Sequence, residues 1–338
     1  MTSPATTPLV SVCIANYNGE RLLPDCIDSV LAQGIGVEIL VHDDASSDGS
    51  LALLASRYPQ ARVIASTQNV GFCVANNRMA DAASGDYLLL LNNDAALDAG
   101  ALQALLSETG RIGGDAILSL PQHDWETGAL VDRGCLLDPF YNPVPNLDPD
   151  RADVAYVIGA CLWIPRRLWN DLGGFPEWFG SLAEDMYLCC VARLRDVPVH
   201  CIDGSGYRHR QGASFGGNRA DGGLRSTYRR RYLSERNRMA VLVACTPTWL
   251  AWPWLALHVS ALLAEGLLLS LLKRAPRIWG QIYWAALRDT WAHRTTLLAL
   301  RRAALAGREL ALPAYLGAFT PFPRKLVLLS RHGLPGLR

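Results

Sequence analysis

From residue 9 onward, short apolar runs alternate along the chain with segments whose apolar residues recur every three or four positions. Leu9-Val-Ser-Val-Cys-Ile14 is an apolar run bounded by polar residues, the mark of a buried strand. Residues 20–33 set Leu22, Leu23, Cys26, Ile27, Val30 and Leu31 at helical spacing, and Gly34 stops that helix. The same alternation predicts strands over 37–41, 62–65 and 86–91 and helices over 50–57 and 72–83. Strands separated by helices imply an α/β fold, a parallel sheet with helices on both faces, whose ligands collect at the carboxyl ends of the strands. Polar clusters fall at those ends: Asn16–Asn18, Asp43–Asp48 and Asn92–Asp94. Residues 121–153 are rich in Pro, Asp and Asn without a period and read as a variable loop region, after which a strand over 155–164 resumes the fold. Tyr207–Arg225 is Gly-rich and poor in apolar residues, which predicts a mobile loop over a site.

Composition narrows the class. With 338 residues, 50% hydrophobic and 19% charged, the chain is globular and long enough for a real core, so disorder, collagen and a coiled coil are excluded. Length alone suggests about two domains. The nine cysteines are scattered from Cys13 to Cys245 without paired CxxC spacing, which argues against a disulfide framework or a structural zinc site and for a reducing setting. The first residues lack a basic stretch followed by an apolar one, so no signal peptide is expected.

The net charge of +1 hides a division: residues 1–218 carry 13 Lys+Arg against 26 Asp+Glu, and residues 219–338 carry 19 against 5. We divide the chain on this basis into an acidic domain, 1–226, and a basic, Trp-rich helical region, 227–338. An acidic, polar first part suits a metal-using enzyme. A basic part rich in Trp and Leu suits an anionic membrane surface.

Three motifs stand in order at the strand ends: SVCIANYNGE, EILVHDDASSDGS and NVGFCVANNRMADAASGDYLLLLNNDAAL. They resemble the family 2 glycosyltransferases of the GT-A fold, nucleotide-sugar enzymes with a Rossmann-like domain. The resemblance continues through GACLWIPRRLWNDLGGF, AEDMYLC and YRHRQGAS and covers residues 9–240, with NND in the manner of a rhamnosyltransferase-like branch.

The resemblance implies roles for particular residues. Ala15, Asn16 and Tyr17 match the loop that holds the nucleotide base, and an aromatic at a strand end offers a flat stacking face, although an ordinary polar turn has the same composition. Asp44 matches the carboxylate that accepts from the base N3–H, and an acceptor-only group opposite an imide N–H selects uracil or thymine, hence a UDP- or dTDP-sugar donor. Asp43 would orient the loop and Asp48-Gly49 would cap the next helix. Asn69, Gly71 and Asn77 match a second nucleotide-side segment, where glycine permits close backbone approach and a side-chain amide reaches the sugar or diphosphate.

Asn92-Asn93-Asp94 takes the place of the family's DxD-like motif, with Asn93 on the donor side and Asp94 the one charged ligand for Mg2+ or Mn2+; an Asx turn ending a strand is the plainer alternative. His209 matches the histidine that completes this metal site. His42 reads as structural. Glu184-Asp185 matches the ED motif, in which one carboxylate takes the proton from the acceptor hydroxyl in an inverting transfer. Asp185 is the expected base and Glu184 the near alternative.

In the basic half, Trp249–Leu272 is 24 residues long with one acid, Glu265, and one histidine, His258, long enough to span a bilayer. Pro253, His258 and Glu265 interrupt it, and Trp249, Trp252 and Trp254 cluster at one end as interface residues do. These features favour helices lying in the membrane interface over a spanning hairpin or a buried soluble helix. Nucleic acid is not expected as a partner, because the aromatics sit in apolar runs rather than on a basic face. Together the expectations describe a metal-dependent, inverting glycosyltransferase at the cytoplasmic face of the inner membrane. It would move rhamnose from dTDP-rhamnose to a lipid-linked, polyprenyl-diphosphate acceptor or other cell-surface glycan. A UDP-hexose donor or an inactive GT-A binding module are the alternatives.

Overall fold

The computed structural model of the chain describes residues 10–210, 225–333 and 336–337. It divides into two compact units, the first drawn from Met1–Arg133, Val157–Gly180 and His200–Arg210, the second from Gly134–Tyr156, Ser181–Val199 and Gln211–Arg338. The units therefore do not follow the compositional boundary at residue 226.

The first unit opens with β1 (Val10–Asn16), α1 (Leu23–Leu31), β2 (Val37–Asp43), α2 (Ser50–Arg57), β3 (Arg62–Ala65), α3 (Phe72–Ala82) and β4 (Tyr87–Asn92). These follow the sequence pattern closely; α1 starts later than expected because Pro24, fixed in φ and lacking an N–H, suits only the first helical turn. β1 to β4 pair in parallel, with Asn16 opposite Asp43 and Ala15 between His42 and Asn92. Apolar side chains on both faces of β1 and β4 are buried, which is why these strands read as continuous apolar runs.

Four short elements follow, β5 (Ala95–Leu97), α4 (Ala101–Ile112), β6 (Ile117–Ser119) and β7 (Gln122–Asp124), and then β8 (Leu130–Asp132). The chain leaves this unit for a hairpin, β9 (Cys135–Leu137) with β10 (Pro143–Pro145), and returns as β11 (Cys161–Pro165) and α5 (Arg166–Leu172). Region 121–153 is thus not a plain loop; its strands are three residues long and too short to show a period. The strand expected over 155–164 is confined to β11, because the Cys161 N–H turns back onto the Ile158 carbonyl just before it. β11 runs antiparallel to β4, so the completed seven-stranded sheet, order β12-β6-β11-β4-β1-β2-β3, is mixed rather than parallel. Here β12 is Val199–Cys201, preceded in sequence by α6 (Glu184–Leu194) of the second unit.

A second, four-stranded sheet, order β5-β13-β7-β8, is built on β13 (Tyr207–His209). Its register sets the chemistry. His209 pairs with Ala95, next to Asp94, and Tyr207 pairs with Gln122. Tyr207–His209 is therefore strand, and the remainder of the expected loop, 211–224, lies outside the described residues.

The second unit is mainly helical. α7 (Tyr228–Cys245), capped by the Thr227 side chain on the Arg230 N–H, is followed by α8 (Ala251–Leu272), α9 (Pro276–Ile278), a π-helical stretch (Trp279–Trp284), α10 (Ala285–Ala292), α11 (Arg294–Ala306), α12 (Leu312–Leu316) and α13 (Arg324–His332). α6 is buried on nearly every side and packs in this unit against α7 and α11.

Candidate active site

At the carboxyl ends of β1, β2 and β4 three loops are locked by side-chain amides and carboxylates. Buried Asn16 donates through Nδ2 to Asp43 Oδ2 at 2.9 Å and accepts at Oδ1 from Asn93 Nδ2 at 2.8 Å. The other Asp43 oxygen accepts the Ser46 N–H at 3.0 Å. Gly19 sits against this amide pair so closely that a β-carbon there would overlap both Asn16 Oδ1 and Asn93 Nδ2. The loops are stitched further by Asn18 Oδ1, which accepts the Ser47 N–H at 2.8 Å, and by Asp48 Oδ2, which accepts the Glu20 N–H at 3.0 Å. Asp48 Oδ1 takes the Ser50 N–H at the start of α2, the capping role read from sequence. Tyr17 projects from this lattice with 52% of its surface exposed, a free aromatic face at the rim.

Asp44 is 6% exposed and accepts the Val70 N–H at 2.7 Å and the Gly71 N–H at 2.9 Å, one on each oxygen. A carboxylate has about four acceptor positions, so two remain for an imide N–H. Gly71 has φ +90°, in the left-handed region, and a β-carbon would press within 3.3 Å of the Gly180 carbonyl oxygen. Asn69 is exposed and its Nδ2 reaches the Asp44 carbonyl at 3.4 Å. Asn77 is used differently from the sequence expectation: its amide exchanges two hydrogen bonds with the backbone of Phe175, at 2.9 and 3.0 Å, and so holds the Gly174-Phe175 turn. Asn93 likewise serves the loop lattice. His42 is buried with Nε2 3.2 Å from Ser66 Oγ, and burial lowers its pKa.

Asp94, 2% exposed, has Oδ1 3.1 Å from His209 Nε2. Behind the imidazole, Nδ1 lies 3.1 Å from Gln122 Oε1, which also accepts the Tyr207 hydroxyl at 2.8 Å. An amide oxygen only accepts, so Nδ1 carries a proton and Nε2 is the nitrogen turned to the carboxylate. An imidazole nitrogen and a carboxylate oxygen meeting in a buried place share a proton or a cation. Ligands about 2.1 Å from an octahedral ion and adjacent in its shell stand about 3 Å apart. The 3.1 Å separation meets that spacing, and the buried Gln122 supplies the outer hydrogen bond that metal-bound imidazoles use. Among the described residues no group of three His, Cys, Asp or Glu gathers. No motif marks Gln122; only strand pairing brings it to His209.

Glu184 and Asp185 belong to the second unit, at the N-terminus of α6. Glu184 is 5% exposed and its Oε2 finds no hydrogen-bond partner among the described residues. Burial first, and the neighbouring Asp185 charge second, push its pKa well above the usual carboxylate range. Asp185 is half-buried and accepts the Met186 N–H at 2.7 Å. The environment separates the pair: Glu184 is biased toward its protonated form, and Asp185 is the more accessible carboxylate.

Residues 11–171 match the family model for glycosyl transferase family 2. Chondroitin synthase of Escherichia coli is 30% identical over 187 residues, 54% of this chain and 26% of that protein. The N-acetylglucosaminyl-diphospho-decaprenol L-rhamnosyltransferase of Mycobacterium tuberculosis is 26% identical over 182 residues, 45% of this chain and 59% of that protein. The chain thus spans about a quarter of the first and under two thirds of the second. Among solved structures, S. aureus TarS 1–349 in complex with UDP superimposes with a TM-score of 0.54 at 15% identity, covering 88% of each chain, which shows a shared fold.

Proposed function

Since residues 11–171 match the family model for glycosyl transferase family 2, we propose that this chain transfers a sugar from a nucleotide-diphosphate donor to a glycan acceptor with inversion at the anomeric carbon. The observation that carries the reading is the Asp94–His209 pair at the sheet's carboxyl edge, buried and backed by Gln122. These two residues would hold Mg2+ or Mn2+, which when bound neutralises the diphosphate leaving group. Tyr17 offers its exposed ring to the base, with Ala15 and Asn16 shaping the loop beneath it, and the free acceptor positions of Asp44 suit the N3–H of uracil or thymine. Asp185 takes the proton from the acceptor hydroxyl as that oxygen bonds to the anomeric carbon and the sugar–diphosphate bond breaks. Burial and the Asp185 charge favour the protonated form of Glu184 beside it.

The favoured donor is dTDP-rhamnose and the favoured acceptor a polyprenyl-diphosphate-linked sugar, a reading supported by the mycobacterial relative's substrates and by the NND motif. Asp44 does not distinguish thymine from uracil, so a UDP-hexose is the second reading. The second unit supports attachment to a membrane: α8 is apolar enough to cross one, and Trp249, Trp252, Trp284 and Trp291 are exposed on the same unit. The test is to incubate the full chain with a panel of UDP- and dTDP-sugars and a polyprenyl-diphosphate-linked acceptor, with and without EDTA. Release of dTDP from dTDP-rhamnose that EDTA abolishes is expected. Turnover of a UDP-hexose alone would replace the donor, and release from none would leave a binding module.

A further inference from the structure

The segment that delivers Glu184 and Asp185 is held in an unfavourable shape. Leu182 and Ala183, neither of them glycine, have φ of +75° and +66°, consecutive left-handed residues directly before α6. Such a pair persists only where its surroundings over-determine it. The restraint is Asn237 on α7, fully buried, whose Nδ2 donates to the Ser181 carbonyl at 2.9 Å and to the Leu182 carbonyl at 2.7 Å. Its Oδ1 accepts from Arg236 Nε at 2.9 Å. A guanidinium only donates and carbonyls only accept, so the amide has one orientation that satisfies all three contacts. Arg236 is itself anchored, through a 2.8 Å ion pair to Asp289 and a 3.3 Å hydrogen bond to the Tyr232 hydroxyl, which in turn donates to Asp289 at 2.7 Å. All these residues lie in the second unit.

We propose that Asn237 is a positioning residue for the Glu184–Asp185 pair: its amide clamps the left-handed 181–183 turn, and the Asp289–Arg236 ion pair aims the amide. This rests on the reading of Asp185 as the base. A half-buried carboxylate at a helix N-terminus has its direction set by the residues leading into the helix, and here those residues are held by one side chain from another helix. The basic region beyond residue 226 therefore contributes to the chemical step and not only to attachment.

The test uses the full chain and compares Asn237→Ala with Asn237→Asp, which keeps the shape but cannot donate to the two carbonyls. The expected result is a fall in kcat of tenfold or more with the donor KM within twofold of the parent. Adding Ala183→Gly to Asn237→Ala supplies a residue that adopts the left-handed conformation without a clamp, and it should restore at least part of kcat. A merely structural role would not give that rescue. Arg236→Gln, which leaves Asn237 in place but loosens its aim, is expected to lower kcat less than Asn237→Ala, and it remains informative if the Asn237 variants do not fold. Unchanged kcat in both Asn237 variants, or kcat and donor affinity falling together with no rescue by Ala183→Gly, would overturn the proposal. Asp185→Asn separates the two readings: if it retains the parent rate, the base assignment fails; if it loses the rate while Asn237→Ala keeps it, only the clamp fails.

Discussion

Replacing Gly19 by alanine puts one methyl group where the structure has no room for it. The added carbon overlaps Asn16 Oδ1 and Asn93 Nδ2, the two atoms of a buried hydrogen bond. Separating them breaks a hydrogen bond between residues only 1% and 4% exposed. An unsatisfied buried partner costs about 1–3 kcal/mol, and forcing a group into filled space costs about as much again, so a loss of roughly 2–5 kcal/mol is expected. For a unit of this size each kcal/mol lowers a melting midpoint by about 2–4 °C, which gives a drop on the order of 5–15 °C. Binding should weaken as well, because Asn16 also ties Asp43, and Asn93 precedes the proposed ligand Asp94. Differential scanning calorimetry beside titration with UDP and dTDP would read both. A midpoint within 2 °C of the parent with unchanged nucleotide affinity would refute the claim that this amide pair holds the loops.

Asp94→Ala and His209→Ala should each raise the Mn2+ concentration needed for half-maximal activity, Asp94 more because a charge is lost with the ligand, and Gln122→Ala should weaken metal affinity roughly 10–100-fold; full activity in EDTA would contradict all three. Glu184 takes up its proton in the folded state above the ordinary pKa of 4.5, so stability is undiminished below that value and declines as pH rises toward the raised one, by about 1.4 kcal/mol per pH unit. Glu184→Gln should remove this slope, read as melting midpoints compared between pH 5 and pH 8, and an unchanged slope would mean that Glu184 is ionised. The full chain should float with anionic vesicles and be partly released by high salt; resistance to both salt and alkaline carbonate would mean that α8 spans the bilayer.

The sheet was legible because parallel strands buried on both faces leave unbroken apolar runs, and β1 to β4 fall within two residues of where those runs place them. What escaped is whatever depends on pairing between distant segments. β13 gives no periodic signal in three residues, yet its antiparallel register with β5 carries His209 to Asp94, and its parallel register with β7 supplies Gln122. The family resemblance points to His209 but not to the Gln122 oxygen behind its Nδ1. Asn77 shows the opposite failure: an amide in a nucleotide-side motif looks free to reach a ligand until its two hydrogen bonds to Phe175 are seen.

Charge counting misreads the second unit for a related reason. The excess of basic residues after 219 suggests a positive surface, but much of that charge is turned inward. Glu235, fully buried, is met by Arg231, Arg238 and Lys325, and Glu265 on α8 by Arg231 and Lys325. Arg236 is consumed by Asp289, and Arg301 by the carbonyls of Val243, Thr246 and Thr248. Removing one partner from such a cluster strands a buried charge, so these residues report on packing and not on lipid. The same pairing resolves why an apolar helix carries an acid. His258, Leu262, Gly266 and Leu269 form the buried stripe of α8, with Glu265 reaching its ion pairs beside them, and a β-carbon at Gly266 would come within 2.7 Å of the Tyr283 ring. Leu257, Leu267, Leu268, Leu271 and Leu272 are exposed on the same helix. A helix docked by that stripe and its Glu265 ion pairs, with these five leucines bare, is suited to lie with them in a membrane interface, whereas a span would need Arg231 and Lys325 to accompany Glu265 into hydrocarbon.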